Sequence, residues 1–460
     1  MIEKLKQAIN KSNADYLDVR TEETSTMQIV YSKDRLQEVV SSFISGGNIR
    51  ALKNGGIAYR SVTSLNGIDK SVQEAQRAAE VMGGVATSRE GLSPAPVVKD
   101  KVVPEAKIDP RTVSFEEKKA LLEEYRALIL SRPEVKALTI SYFERLTSET
   151  FLNTEGTEIV QDILLCRIGG RIITKDGNRT ESVGFSVGFD SDYKKLLKRH
   201  DVVESNVKIA VDLLKAEPIK AGIFTIVCDS ELGGIFTHEA FGHLSESDDI
   251  INNPSLLEAM KIGNVFGKPI LNIVDQGNFP GAPGTYRYDH EGVASRKTYL
   301  IKEGVLVGRL HSRNSAFRVG GTPTGNYRCC DYRVNPIVRM SNIFIENGQT
   351  PLSEMIGSVN DGYYLCAGKG GQTMGDMFTF GAEYGFELKN GKIGKMVKDA
   401  NISGNVFKTL NNIVEVGNDF RISEGGGCGK SRTALYDLQM LDKSGLGSPH
   451  IKIQDVVIGG

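Results

Sequence analysis

Period-two alternation, closed by tight-turn dipeptides, dominates the first half of this chain, and a pattern of that kind folds into antiparallel sheet. Alternating runs occupy residues 16–20, 27–31 and 48–52, and 56–60 follows the turn signal Asn54-Gly55. The pattern returns at 137–153, 158–168 and 170–190, the last folded on itself at Asp176-Gly177. Helical periodicity is sparser: 1–12, with Ile2, Leu5 and Ile9 on one face, then 69–82, 115–130 and 201–216. The third of these helices opens on Ser114 with Glu117 three residues on, the residues of a capping box.

Length and punctuation divide the chain. At 460 residues it exceeds what one hydrophobic core serves. Residues 1–84 read as an N-terminal α+β domain, and 85–110, with four prolines and few aromatics, as a linker or wrapping segment. Residues 111–217 read as a central α+β domain. The remainder, 218–460, is glycine-rich and holds five of the six histidines. Its strand-like runs at 223–228, 297–310, 337–345 and 378–388 leave room for two helices, near 231–245 and 400–412. The expectation is an α+β protein with mixed and antiparallel sheets, few helices, and a larger β-rich C-terminal domain carrying the functional site.

Composition excludes some classes. Lys plus Arg (56) nearly cancels Asp plus Glu (57), so no basic surplus argues for direct nucleic-acid contact. The N-terminus Met1-Ile2-Glu3-Lys4-Leu5-Lys6 alternates charge with apolar residues, unlike a signal peptide, and no stretch reaches the roughly 18 apolar residues of a membrane span. A cytoplasmic protein is expected, in which six cysteines are thiols rather than disulfides.

The chemistry concentrates at His238-Glu239-Ala-Phe-Gly-His243. Neutral imidazoles ligate zinc, and a carboxylate beside one of them can act as general base for water. Zinc peptidases commonly space the pair four apart, on one helix face. Five residues on a regular α-helix put the two side chains about 140° apart. A single π-bulge brings them to about 50°, and Gly242 is where the backbone could yield. The spacing therefore predicts a distorted helix, or else two unrelated histidines. For a third ligand the best candidate is Cys428, in Gly425-Gly-Gly-Cys428-Gly-Lys430, where flanking glycines expose the thiol and Lys430 favours its thiolate. Core thiol is an equally weighted reading of Cys428 on residue chemistry alone. Cys166 and Cys228 sit in apolar strand-like runs, Cys366 follows Tyr363-Tyr364-Leu365, and Cys329-Cys330 lack a partner at ligand spacing; these read as core thiols.

With these residues assembled, the chain resembles the TldD/PmbA family, specifically its TldD branch. The resemblance rests on His238 to His243 with Glu246 and Asp248, on Tyr288-Asp-His-Glu-Gly-Val293, and on Arg339-Met340-Ser-Asn342. It continues through Gly370-Gly-Gln372, Gly375-Asp-Met-Phe378, Cys428-Gly-Lys430 and Ser448-Pro449. The N-terminal half matches in layout only. The resemblance implies a zinc metallopeptidase with His238, His243 and Cys428 on the metal and Glu239 doing acid/base work. It also implies a dimer, with itself or with a PmbA-like subunit that lacks the histidine–glutamate motif. Ser431-Arg432 departs from the family's Gly-Gln, which bears on pocket shape near Cys428.

The mechanism expected is hydrolysis of peptides or unfolded chains by zinc-activated water, the substrate adding as an extended strand to a sheet edge. Glu246 and Asp248 are candidates for orienting the histidines, or form a solvated acidic cluster. His290, Arg339 and Tyr327 are unranked candidates for an oxyanion donor, with structural roles as the plainer reading of each. Two rival classes remain at this level: a cysteine hydrolase with Cys428 as nucleophile, and a non-enzymatic binding modulator.

Overall fold

The computed structural model describes residues 1–425, 427–430, 439–441 and 444–459. One seven-stranded sheet spans the whole first half, in the order β3-β2-β1-β5-β6-β4 with β7 also paired to β6. Its strands are β1 (Tyr16–Ser32), β2 (Leu36–Lys53), β3 (Gly56–Val62), β4 (Lys99–Val102), β5 (Val135–Asn153), β6 (Glu158–Asp176) and β7 (Arg179–Asp190). The runs 16–20 and 27–31 are a single strand, and 48–52 is the end of the longer β2. β1 pairs antiparallel with β5 from Asp18↔Asn153 to Ser32↔Thr139, so the sheet is continuous between residues 1–84 and 111–217. Within 85–110, β4 adds to β6 as a parallel strand. The turn signals act as turns: Asn54 and Gly55 have φ of 52° and 80°, and Gly177 has 55°.

Helices α1 (Ile2–Asn10), α2 (Ile68–Val85), α3 (Phe115–Leu130) and α4 (His200–Asp212) accompany this sheet. The capping box on α3 is complete: the Glu117 N–H donates to Ser114 Oγ at 3.3 Å, and the Ser114 N–H donates to Glu117 Oε2 at 2.9 Å. Leu17 and Val19 pack with α1 and α2, and Ile29 packs with α3 and α4. The alternate residues of β1, Asp18, Arg20 and Glu22, are equally buried but charged, and they meet the C-terminal unit. There Arg50 bridges Asp18 and Glu291, and Arg20 joins Glu22, Glu149 and Cys329. Burial of these charges is tolerable because each is paired.

Among the described residues the C-terminal unit has two larger sheets beside two two-stranded ones, Tyr327–Arg328 with Ile337–Val338 and Cys428–Lys430 with Gln439–Leu441. One has six strands and includes Ile273–Gln276, Asn342–Ile345 and Gly445–Ser448. In the other, Asp361–Met374, Gly222–Cys228, Ile451–Gly459, Asn401–Asn405 and Met377–Lys389 pair in turn, and the last returns to the first, closing a ring. Helix α5 (Ser230–Thr237) lies between the sheets. A Cβ on Gly233 would meet Ser448 Oγ at 2.7 Å and one on Gly234 would meet Gly447 N at 3.0 Å, so the two glycines let α5 close onto the strand Gly445–Ser448. On its other side Ile235 packs over Gly368 of Asp361–Met374. The helix expected at 400–412 is shorter: Asn401–Asn405 is strand, and the Asn405 side chain caps Val406–Asn411. Short helices at Pro254–Ala259 and Arg313–Val319, capped by Asn253 and Ser312, lie below the length at which periodicity is readable.

Candidate metal centre

Asp229 fixes the start of the site helix. Its Oδ1 accepts the Leu232 N–H at 2.8 Å, capping α5, and its Oδ2 accepts the Ala367 N–H at 3.0 Å, tying the helix to the neighbouring strand. α5 runs regularly to Thr237 and then widens: residues His238–Gly242 form one π-helical turn, closed by the His243 N–H donating to the His238 carbonyl. The imidazoles consequently lie on one side, ring centroids 4.9 Å apart and nearly perpendicular at 85°. Gly242 itself has φ −57° and ψ −51°, ordinary helical values, so conformational freedom is not why glycine stands there. A Cβ would lie 2.0 Å from Met340 Sδ and 3.0 Å from Ile343 Cδ1, so the glycine admits the neighbouring strand segment.

Cys428, on the short strand Cys428–Lys430, completes the group: one donor atom each from His238, His243 and Cys428 lie within 4.8 Å of one another. Cys428 Sγ is 3.6 Å from His243 Nε2. Metal–ligand distances of about 2.05 Å to nitrogen and about 2.3 Å to sulfur give a tetrahedral N···S edge of roughly 3.6 Å. His238 is 4% exposed and its Nδ1 is buried without a hydrogen-bond partner. The donor set, the spacing and the orphaned nitrogen fit a divalent ion that accepts nitrogen and sulfur.

The electrostatics agree. Burial pushes the Cys428 thiol up, but the two imidazoles outweigh it and hold the thiol well below its usual range. Burial likewise pulls His243 down, while the Glu246 carboxylate and the Cys428 thiolate raise it well above the usual imidazole range. A thiolate against an imidazolium is a charge pair that a cation entering the group would replace.

The supporting residues divide differently from the sequence expectation. Glu246, fully buried, accepts from His243 Nδ1 at 3.0 Å and from the Met340 N–H at 3.0 Å, so it fixes the ring whose other nitrogen faces the sulfur. Burial acts against the charged form of Glu246, but Lys430 and His243 hold its carboxyl well below the usual range. Asp248 does not touch a histidine; it accepts the Val338 N–H at 2.9 Å and Lys430 at 2.8 Å. Lys430 in turn lies among Glu246, Asp248 and Asp249. The ammonium expected to favour the thiolate is therefore spent on three carboxylates, and the imidazoles do that work. The thiol itself is 4% exposed, not laid open by its glycines.

Arg339 is fully buried, and its Nη2 donates to the Cys428 carbonyl at 2.6 Å, which fixes the thiol-bearing backbone. His290 lies in another cluster: Nε2 is 3.2 Å from Glu149, and Nδ1 accepts the Cys329 N–H at 3.0 Å. Tyr327 shares a hydroxyl–hydroxyl bond of 2.7 Å with Tyr59. Both residues belong to the contact with the first-half sheet. The core-thiol reading describes Cys166, Cys228, Cys329 and Cys366, which are buried; Cys330 is half-buried.

Glu239, which follows His238 in the chain, is half-buried, and Thr373, which the sequence reading passed over, holds it. Thr373 Oγ1 donates to the Glu239 carbonyl and lies 3.3 Å from its Oε2. A Cβ on Gly371 would sit 2.9 Å from Glu239 Cγ, so this glycine keeps the carboxylate's place open. The repeated glycines of 368–375 were the available signal. Ser431-Arg432 lies outside the described residues.

Two imidazoles and a buried thiol close enough to share one ion, with a carboxylate next to the first histidine in the chain, make up a candidate metal centre. Family models described as PmbA/TldA metallopeptidase domain 1, central domain and C-terminal domain match residues 17–79, 108–214 and 221–460. A metalloprotease of Synechocystis sp. is 36% identical over 98% of this chain and 96% of its own length. One of Methanothermobacter thermautotrophicus is 35% identical over 98% and 96%. The chain belongs to the TldD/PmbA metallopeptidase family. Among solved structures, TldE from Thermococcus kodakarensis shares the fold at a TM-score of 0.74 and 18% identity, covering 99% of this chain and all of that one. A Thermotoga maritima protein described as a DNA gyrase modulator shares it at 0.80 and 18%, with full coverage of both. Among the described residues no helix is long and apolar enough to cross a membrane.

Proposed function

We propose that this chain is a zinc-dependent peptidase that hydrolyses short or unfolded peptides in the cytoplasm. The observation carrying this reading is the convergence of His238, His243 and Cys428 donor atoms within 4.8 Å, with Glu239 next to His238 in the chain. Zinc accepts such donors in catalytic sites and keeps one position open. When bound, it supplies Lewis acidity to the scissile carbonyl and to water. Glu239 takes a proton from the attacking water on its carboxylate and returns it to the leaving amine. Thr373 and Gly371 keep that carboxylate in place, and Glu246 holds the His243 ring.

The substrate adds as a strand. Pairing between Asp361–Met374 and Gly222–Cys228 ends at Leu365, and beyond it the strand is paired, among the described residues, only to Met377–Lys389. The open edge runs through Gly371 and Thr373, past Glu239. Main-chain recognition of this kind accepts many sequences and requires an extended substrate. Flexible peptides are therefore cut and folded proteins spared; equal cleavage of both refutes the edge-strand reading.

A cysteine hydrolase is the second reading, favoured by the 3.6 Å approach of Cys428 Sγ to His243. A chelator separates the two. Loss of activity restored by added zinc supports the metallopeptidase, whereas activity that resists chelation and is lost to thiol alkylation supports the nucleophile.

A further inference from the structure

The open edge past Glu239 is closed at one end by carboxylates. Asp361–Met374 loses its pairing with Gly222–Cys228 at Leu365, where the chain leaves for the first turn of α5. That turn stays against the edge. Asp229 Oδ2 accepts the Ala367 N–H at 3.0 Å, and the Gly368 N–H favours the charged form of Glu231. The free edge therefore starts beyond Gly368, and a strand laid along it meets Glu231 at one end and Glu239 further on.

Glu231 is exposed, yet it stands in a recess. Burial pushes it up to about 7, with Asp229 and Glu383 acting in the same direction. Among the described residues no cation pairs with it. Glu383, on Met377–Lys389, is 6% exposed, and its Oε2 is buried without a hydrogen-bond partner among those residues. Burial pushes Glu383 up as well, while Lys369 and Arg171 oppose this only through space and the Gly184 N–H of β7 adds to them. Carboxylates withdrawn from water ordinarily have a cation in contact. Here none is in place, and Glu231 faces the lane a substrate would occupy. Gly371, which keeps the place of Glu239 open, pairs with Phe380, and Gly368 pairs with Ala382. Two residues of strand, ~7 Å, separate these positions.

We propose that Glu231 is a specificity-determining residue that, with Glu383 behind it, takes a cationic group of the substrate about two residues from the cleaved bond. The group is a lysine or arginine side chain, or the α-ammonium of a short peptide. The inference rests on the edge-strand reading of substrate binding.

The test uses the full chain loaded with zinc and flexible, N-acetylated peptides of one sequence. Lysine, norleucine or glutamate is moved through successive positions, and mass spectrometry locates the cut. At one position lysine is expected to raise kcat/KM roughly tenfold over norleucine, about the worth of a charge-assisted hydrogen bond. Glu231→Gln should bring that ratio close to one, and Glu231→Lys should invert it to favour glutamate, with thermal unfolding verifying that both fold. A structural role for Glu231 would move the rates for all peptides together and leave their ratio. Repeating the series with free amino termini separates the two sources. Selectivity confined to unacetylated peptides cut at a fixed distance from the amino end assigns the α-ammonium. Fluorescence anisotropy of C-terminally labelled peptides on Glu239→Gln reads the same ratio without turnover. A wild type that cuts nothing while binding keeps the lysine preference refutes the peptidase reading and sustains the subsite. Equal binding and equal cutting at every position, acetylated or not, overturn the inference. So do a preference that survives Glu231→Gln and a failure to bind any of the peptides.

Discussion

The His243 N–H donates to the carbonyl of His238 across five residues, and this single π-type bond turns a spacing unfit for a shared ion into one in which both imidazoles face Cys428. The ligand geometry thus depends on main-chain conformation, and its most sensitive point is the glycine inside the turn.

Gly242→Ala is expected to force a Cβ into Met340 Sδ, with which it would overlap at 2.0 Å. Overpacking of this kind costs about 1–3 kcal/mol. Metal content should fall with stability. Trimming the obstacle in the double variant Gly242→Ala/Met340→Ala should recover part of both, measured by urea unfolding and metal analysis.

Glu239→Gln is expected to lower kcat by roughly 10²- to 10⁴-fold while metal content stays at the wild-type level. Gly371→Ala should act by the same route, because its Cβ would contact Glu239 Cγ and the Thr379 carbonyl, each at 2.9 Å. Steady-state kinetics beside metal analysis checks both; loss of metal in Glu239→Gln would make the residue a ligand instead.

The spacing of the histidines, the capping box at Ser114 and the turn at Asn54-Gly55 were legible because each is written within a few residues of sequence. The roles of Arg339, Lys430 and His290 were not. Each depends on a partner far along the chain: Arg339 on the Cys428 carbonyl, Lys430 on Glu246 and Asp248, His290 on Glu149. Asp18, Arg20 and Glu22 alternate with Leu17, Val19 and Thr21 along β1, and they are buried because Arg50 and Glu149, with Glu291 of the C-terminal unit, complete their charge pairs. The joining of β1 to β5 across more than a hundred residues leaves no local mark either.

Glu246→Gln is expected to weaken metal binding by about 10- to 100-fold, the usual effect of removing a carboxylate that orients a ligating imidazole. Competition with a chromogenic chelator measures it. An unchanged affinity would show that the 3.0 Å contact with His243 has no bearing on the metal.

Stability should fall on acidification, through the contact between the two halves. Burial lowers His290 to about 4, so the unfolded chain binds a proton below about 6.5 that the folded chain refuses until about 4. Stability is fully present above about 6.5 and drops as pH falls through that window. Burial pushes Glu149 up, but His290 and Arg20 hold it down at about 2, which adds a further loss below its ordinary value near 4.5. Thermal unfolding of His290→Gln between pH 7 and 4 should show a flatter slope than wild type; parallel slopes would remove His290 as the cause.

Metal stoichiometry tests the central claim most directly. Purified wild type, loaded with zinc and dialysed, is expected to hold one ion per chain, and Cys428→Ser to hold far less. Cobalt substitution should give wild type a thiolate charge-transfer band that the variant lacks. Full retention of the ion by folded Cys428→Ser, or a wild type that binds no ion in stoichiometric amount, would contradict the account.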